Sequence, residues 1–249
     1  NYPKIFCSIF DKICFKTFYK LKYFWNIIMH NSYQNLLSIQ SEIKKEFENK
    51  PGKFIVPNII AVSKAFSLEH INPLIEAGHV HFGENKIQEA EKKWINIKKI
   101  NSKIKLHFIG KLQTNKVKNA LKLFDYIHSI DSYKLAEHIS KFSNQLKLNP
   151  KLFIQINIGN EPQKNGIKIS DVNDFVNECK NKLSLNFVGL MCLPPVDKNP
   201  EQYFSEMQNI KNRLNFNHLS MGMTSDYLLA IKFGATFLRI GTKIFGERE

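Results

Sequence analysis

At 249 residues the chain is long enough for one large domain with a full core. Its net charge of +14 rests on 33 lysines and only three arginines (Arg213, Arg239, Arg248). Scattered lysines, with so few of the forked side chains that read phosphates and bases, exclude a dedicated nucleic-acid surface.

Cys7, Cys14, Cys179 and Cys192 form no C-x-x-C pair or zinc spacing. They read as free thiols of a reducing, cytoplasmic setting. No window approaches the roughly 20 apolar residues of a membrane span.

Residues 1–28 are basic and aromatic, with five lysines and Asp11 as their one acidic residue. Ile5/Phe6, Ile9/Phe10, Ile13/Cys14, Leu21 and Trp25/Ile28 recur at near-helical spacing. Two readings stand. Either this is a poorly ordered extension ahead of a domain at 29–249, or it is an amphipathic segment for organellar targeting, a membrane surface or a partner.

A helical stretch around Ser32–Glu48 comes next. Strand-like runs then fall at 59–63 (IIAVS), 79–83 (HVHFG), 105–110 (KLHFIG), 126–130 (YIHSI), 152–158 (LFIQINI), 186–193 (NFVGLMCL), 218–223 (HLSMGM) and 236–241 (TFLRIG). Between them lie stretches of helical period, such as Ile87-Ala90-Trp94-Ile97 and Leu135-Ile139-Phe142-Leu146. Ser67 and Ser132 occupy N-cap positions, and Gly78 and Gly234 close helices. Pro73 should end or kink the helix that holds it.

Eight strands alternating with helices predict an α/β fold of the (β/α)8 TIM-barrel type, in a single domain. An open doubly wound sheet usually has fewer strands and carries a glycine fingerprint absent here. Only eight residues follow the last strand, too few for an eighth helix, so the Ser32–Glu48 helix is expected to complete the outer ring.

Sites in such barrels gather at the C-terminal ends of the strands. Lys64 ends strand one, and a lysine leaving a buried strand either snorkels to water or is held for chemistry. Loops after strands seven and eight supply Ser220, Thr224, Gly241 and Thr242, a small and hydroxyl-rich set suited to a phosphate. A lysine facing a phosphate cradle suggests a phosphorylated carbonyl compound held as a Schiff base.

The blocks "AVSK", "FGENKIQEA", "LHFIGKLQTNK", "QINIGNEPQKNGI", "GLMCLPP", "LSMGMTSD" and "RIGTKIFGERE", in this order over residues 31–249, resemble the pyridoxal-phosphate homeostasis proteins (the YggS/PROSC family). The resemblance implies the barrel of the alanine racemase N-terminal domain. It also implies pyridoxal 5′-phosphate (PLP) carried on Lys64, with Asn85 near the cofactor ring. Ser220, Thr224, Gly241 and Thr242 match the family's phosphate-binding segments, and Arg239 matches the arginine facing the pyridine nitrogen. Arginine offers donors only, so the ring nitrogen stays unprotonated and PLP is a poorer electron sink. The implied role is intracellular PLP homeostasis, by buffering or by delivery to apo-enzymes, from a monomer or weak dimer with little or no catalysis. Phe66 departs from the family pattern, where a polar or basic residue and then proline are more usual.

The competing readings are an amino-acid racemase-like enzyme, a metal-dependent hydrolase and a non-enzymatic interaction module. Racemases of this type place a second acid/base opposite the lysine, from a further domain. His79 and His81 share one side of a strand, with His107 and His128 on the next two. They lack a carboxylate spacing that would complete a metal site, so interior packing or hydrogen bonding is expected, with no metal.

Overall fold

The computed structural model describes residues 30–48 and 55–247; the basic extension lies outside them. Eight parallel strands close into a barrel: β1 (Asn58–Val62), β2 (His81–Glu84), β3 (Lys105–Phe108), β4 (Tyr126–Ile130), β5 (Lys151–Ile156), β6 (Phe187–Cys192), β7 (His218–Ser220) and β8 (Phe237–Ile240). The ring shuts where β8 pairs with β1, with Arg239 opposite Ile60.

The outer ring comprises α1 (Asn31–Glu48), α2 (Leu68–Glu76), α3 (Ile87–Ile100), α4 (Val117–Leu123), α5 (Tyr133–Leu146), α6 (Val172–Lys182), α7 (Glu201–Arg213), α8 (Tyr227–Lys232) and α9 (Thr242–Phe245). No helix among the described residues is long and apolar enough to cross a membrane.

Strand parity sorts the core into two layers, because successive side chains face opposite sides. Ile59, Ala61, Leu190, Leu238 and Ile240 point outward, where they pack beneath the helices with Trp94 and Ile139. Ile60, Val62, Tyr126, Phe153, Met191 and Phe237 point inward and fill the barrel. The helical repeats supply the facing stripe: Ile87, Ala90 and Trp94 of α3 are buried, as are Leu135 and Ile139 of α5.

The first helix fills the place that the short α9 leaves. Lys243 of α9 binds both Glu42 carboxylate oxygens at 2.9 and 2.8 Å, and Tyr227 of α8 donates its hydroxyl to the same carboxylate. Asn35 Nδ2 donates to the Ile244 carbonyl at 3.0 Å.

The helix ends differ from expectation in two places. Ser132 caps α5 by accepting from Leu135 N–H at 3.4 Å, but the Ser67 hydroxyl bonds His70 Nδ1 at 3.0 Å and caps no backbone group of α2. Helix α2 also continues past Pro73 to Glu76. A proline so near the end costs one ladder bond and leaves the next turn intact. Gly78, at φ +86°, then turns the chain towards β2.

Candidate functional site

Inside the barrel, Ile60 and Val62 set a parity that carries Lys64, two residues on, to the inner side of the mouth. Ser63 falls on the opposite side, fully buried, and donates to Glu84 Oε1 at 2.8 Å. Trp94 Nε1 donates to the same oxygen at 3.0 Å, and Lys93 pairs with it at 2.7 Å.

Lys93 also donates to the carbonyls of Ser63 (2.9 Å) and Phe66 (3.4 Å) and to Glu89 (2.9 Å). Glu89 in turn accepts the Ala65 N–H at 2.6 Å. These bonds hold Ala65 at φ +66°, a left-handed conformation that a non-glycine residue adopts at a cost. Phe66 stacks on Phe245 with ring centroids 4.9 Å apart, which ties the lysine loop to α9. Phe66 is thus a packing contact beside the mouth.

Lys64 opens onto a cavity of about 510 Å3, within the usual size range of small-molecule sites. Its wall combines apolar groups from Val62, Ile109, Met191, Leu193 and Met223 with Thr224, Ser225, Arg239, Gly241 and Thr242. The Thr242 and Thr224 hydroxyls are 3.2 Å apart, so the loops after β7 and β8 converge. Asp226 fixes the first loop by accepting the Met223 N–H at 2.6 Å.

Arg239 is buried, and its guanidinium is aimed by three bonds. Nη1 donates to the Ser220 carbonyl (2.6 Å) and hydroxyl (2.8 Å), and Nη2 donates to the Cys192 carbonyl (2.8 Å). These bonds engage three of its five N–H groups, and Arg239 also lines the cavity. Burial pushes the Cys192 thiol up to about 12, so this cysteine stays a neutral thiol. Cys179 and Cys192 are both free thiols.

Lys64, Thr224, Arg239, Gly241 and Thr242 therefore share one cavity. Two expected residues sit off it. Ser220 is fully buried beneath Arg239, its hydroxyl engaged with that guanidinium and with His128. Asn85, the residue after β2, lies in a neighbouring groove of about 190 Å3, with Phe108, Lys111 and Gln113. A side chain at Gly110 would approach the Asn85 carbonyl to 2.3 Å, so that crossing requires glycine.

The alanine racemase N-terminal domain profile matches residues 43–249. The pyridoxal phosphate homeostasis protein of Pasteurella multocida is 35% identical over 226 residues, 87% of this chain and 97% of the relative. That of Aquifex aeolicus is 33% identical over 228 residues, covering 88% and 99%. The chain belongs to the pyridoxal phosphate homeostasis protein family.

Among solved family structures, PipY of Synechococcus elongatus PCC7942 with PLP bound matches at a TM-score of 0.74 and 31% identity, covering 86% of this chain and 99% of PipY. Alanine racemase of Clostridium difficile 630 matches at a TM-score of 0.66 with 13% identity, a likeness of fold.

Sequence reasoning missed several residues that shape this family member's site. Glu84, Lys93 and Glu89 hold the lysine loop, and Asp226 holds the loop after β7. The signal for Glu84 was its parity: Phe82 and Glu84 face outward on β2, so a buried carboxylate there needs a cation from α3. His81, His107 and His128, expected to bond in the interior, join in a continuous chain of hydrogen bonds below Ser220.

Proposed function

We propose that this protein binds PLP through Lys64 and serves in PLP homeostasis, by buffering the cofactor or delivering it to apo-enzymes, with little or no catalysis of its own. The observation that carries the reading is the convergence of Lys64, Arg239, Thr224 and Thr242 on one cavity at the barrel mouth. The donor set fits the cofactor: two threonine hydroxyls suit a phosphate, and a fixed guanidinium donor suits an unprotonated pyridine nitrogen. When bound, PLP supplies an aldehyde with which the Lys64 amine condenses, releasing water, to give a Schiff base.

The protein's own groups favour holding over turnover. Among the described residues lining the cavity, Lys64 and Arg239 are the titratable ones, and arginine does not give up its proton. Racemisation needs a proton donor and acceptor on two faces of the substrate; this wall offers a base on one. Val62, Ile109, Met191, Leu193 and Met223 give the cavity an apolar wall beside the lysine.

The test is the visible spectrum of the purified protein with PLP, before and after borohydride, for wild type and Lys64→Ala. The expected result is a wild-type band that borohydride bleaches and the variant lacks. A variant that keeps the band overturns Lys64 as the anchor. Exchange of an amino acid's α-hydrogen in deuterated water by the loaded protein would favour the racemase-like reading.

A further inference from the structure

Three hydrogen bonds of equal length form one line through the barrel. His81 Nδ1 meets His107 Nε2 at 2.9 Å. His107 Nδ1 meets His128 Nε2 at 2.9 Å, and His128 Nδ1 meets Ser220 Oγ at 2.9 Å. Ser220 Oγ then accepts from Arg239. The line runs from His81, the first residue of β2, to the guanidinium at the mouth. We propose that His81, His107 and His128 are positioning residues that fix Arg239 through Ser220, and that they carry a single proton order.

A neutral imidazole has one N–H and one lone pair, so each ring that uses both nitrogens must donate at one and accept at the other. Setting one ring therefore sets the next. Two orders remain. In one, the Ser220 hydroxyl donates to His128 Nδ1, His128 Nε2–H to His107 Nδ1, and His107 Nε2–H to His81 Nδ1. His81 then turns its Nε2–H towards the barrel floor. In the reverse order, Ser220 Oγ accepts from both His128 and Arg239. Its own hydrogen then has no acceptor among the described residues, at a position with no exposure. A buried hydroxyl left without an acceptor is disfavoured, which selects the first order.

The surroundings keep the rings neutral and oriented. His107 stacks on Tyr126 at 4.2 Å and 13°, and His128 stacks on Phe153 at 4.3 Å and 12°. Both rings are fully buried, and the Arg239 charge faces His128 from β8. His81 is faced by Lys105 of β3, Lys151 of β5 and Asp125 before β4. An imidazolium inside the line would donate at both ends and collide with a neighbour's N–H.

With this order, a lone pair of Ser220 Oγ is presented to Nη1, which spends both its hydrogens on that residue. The column thus decides where the remaining Arg239 donors point. Its consequence for a bound pyridine ring rests on the PLP reading above; the proton order does not.

Side-chain 15N NMR of the PLP-free protein at pH 7 tests the order directly. His107 and His128 are expected as neutral rings with the proton on Nε2. A proton on Nδ1, or a charged ring, at either residue overturns the proposal. The second arm compares His128→Phe with His128→Gln in the PLP-loaded protein. Phe keeps the stack on Phe153 but breaks the line, and is expected to speed PLP release at least fivefold and shift the absorption maximum. Gln can accept from Ser220 and donate to His107, and is expected to restore both. A Phe variant that releases PLP at the wild-type rate overturns the positioning role. A wild type with no visible band would count against the PLP reading alone, because the NMR arm needs no ligand.

Discussion

Two buried polar assemblies flank the mouth, and they solve one problem in opposite ways. Beneath Lys64 the support is charged: Glu84, with no exposed surface, pairs with Lys93 at 2.7 Å and accepts from Ser63 and Trp94. Beneath Arg239 the support is neutral: imidazoles and a serine hydroxyl pass hydrogen bonds across the barrel. The charged cluster lies outside the barrel wall, where α3 can bring a cation to it. The neutral one lies inside, where strands alone contribute and every neighbouring group is fixed. A buried charge needs a partner from another element, whereas a line of imidazoles needs only register.

The largest expected effect follows from the charged side. Glu84→Ala leaves Lys93 buried with Glu89 as its remaining carboxylate, and removal of one member of a buried ion pair costs about 3–5 kcal/mol. Urea denaturation should show a loss near the lower end of that range, because Glu89 persists. A loss under about 1 kcal/mol would mean that the pair does not anchor the Lys64 loop.

The neutral side is expected to show itself through pH. Burial holds His79 and His81 down to about 4 and His107 and His128 well below the usual imidazole range. Each folded value lies below the unfolded one, so the unfolded chain takes up protons first as pH falls. Stability from these groups is full above about pH 6.5 and is lost progressively below it. The urea midpoint should fall between pH 7 and pH 4.5, and His107→Gln should flatten that fall by about one group's share. An unchanged slope in the variant would show that His107 takes up its proton without unfolding.

The barrel was legible because its evidence is repetitive: eight apolar runs alternating with helical stripes leave little else to build. Strand ends were less legible. Ile109 and Met221 lie just past the last strand residue yet still donate to the Glu84 and Phe237 carbonyls, so the apolar run outlasts the regular ladder. Of the residues that share the cavity, Arg239 entered through the resemblance, and Lys64, Thr224, Gly241 and Thr242 could be read from strand ends alone. Ser220 could not. It pairs with Phe237, two residues before Arg239, so it lies one layer deeper, and the long arginine side chain folds over it. Depth along a barrel axis depends on stagger between strands, which no single segment encodes. The same stagger brings His81, His107 and His128 into line. Their inward parity was readable, but their contact was not.

The smallest effect is a matched pair that compares the two supports directly. Ser63 and Ser220 are both fully buried, and each hydroxyl meets one assembly at its end nearest the mouth. Changing either to alanine removes the same atom. Glu84 Oε1 would keep Trp94 and Lys93, so Ser63→Ala is expected to cost about 1 kcal/mol. His128 Nδ1 has no second donor among the described residues, so Ser220→Ala strands a buried lone pair and is expected to cost about 2 kcal/mol. Parallel urea titrations at pH 7 resolve that difference. If Ser63→Ala proved the costlier change, the neutral column would be tolerating an orphaned nitrogen. Its order would then be too loose to aim Arg239, and the contrast between the two supports would fail at its weaker end.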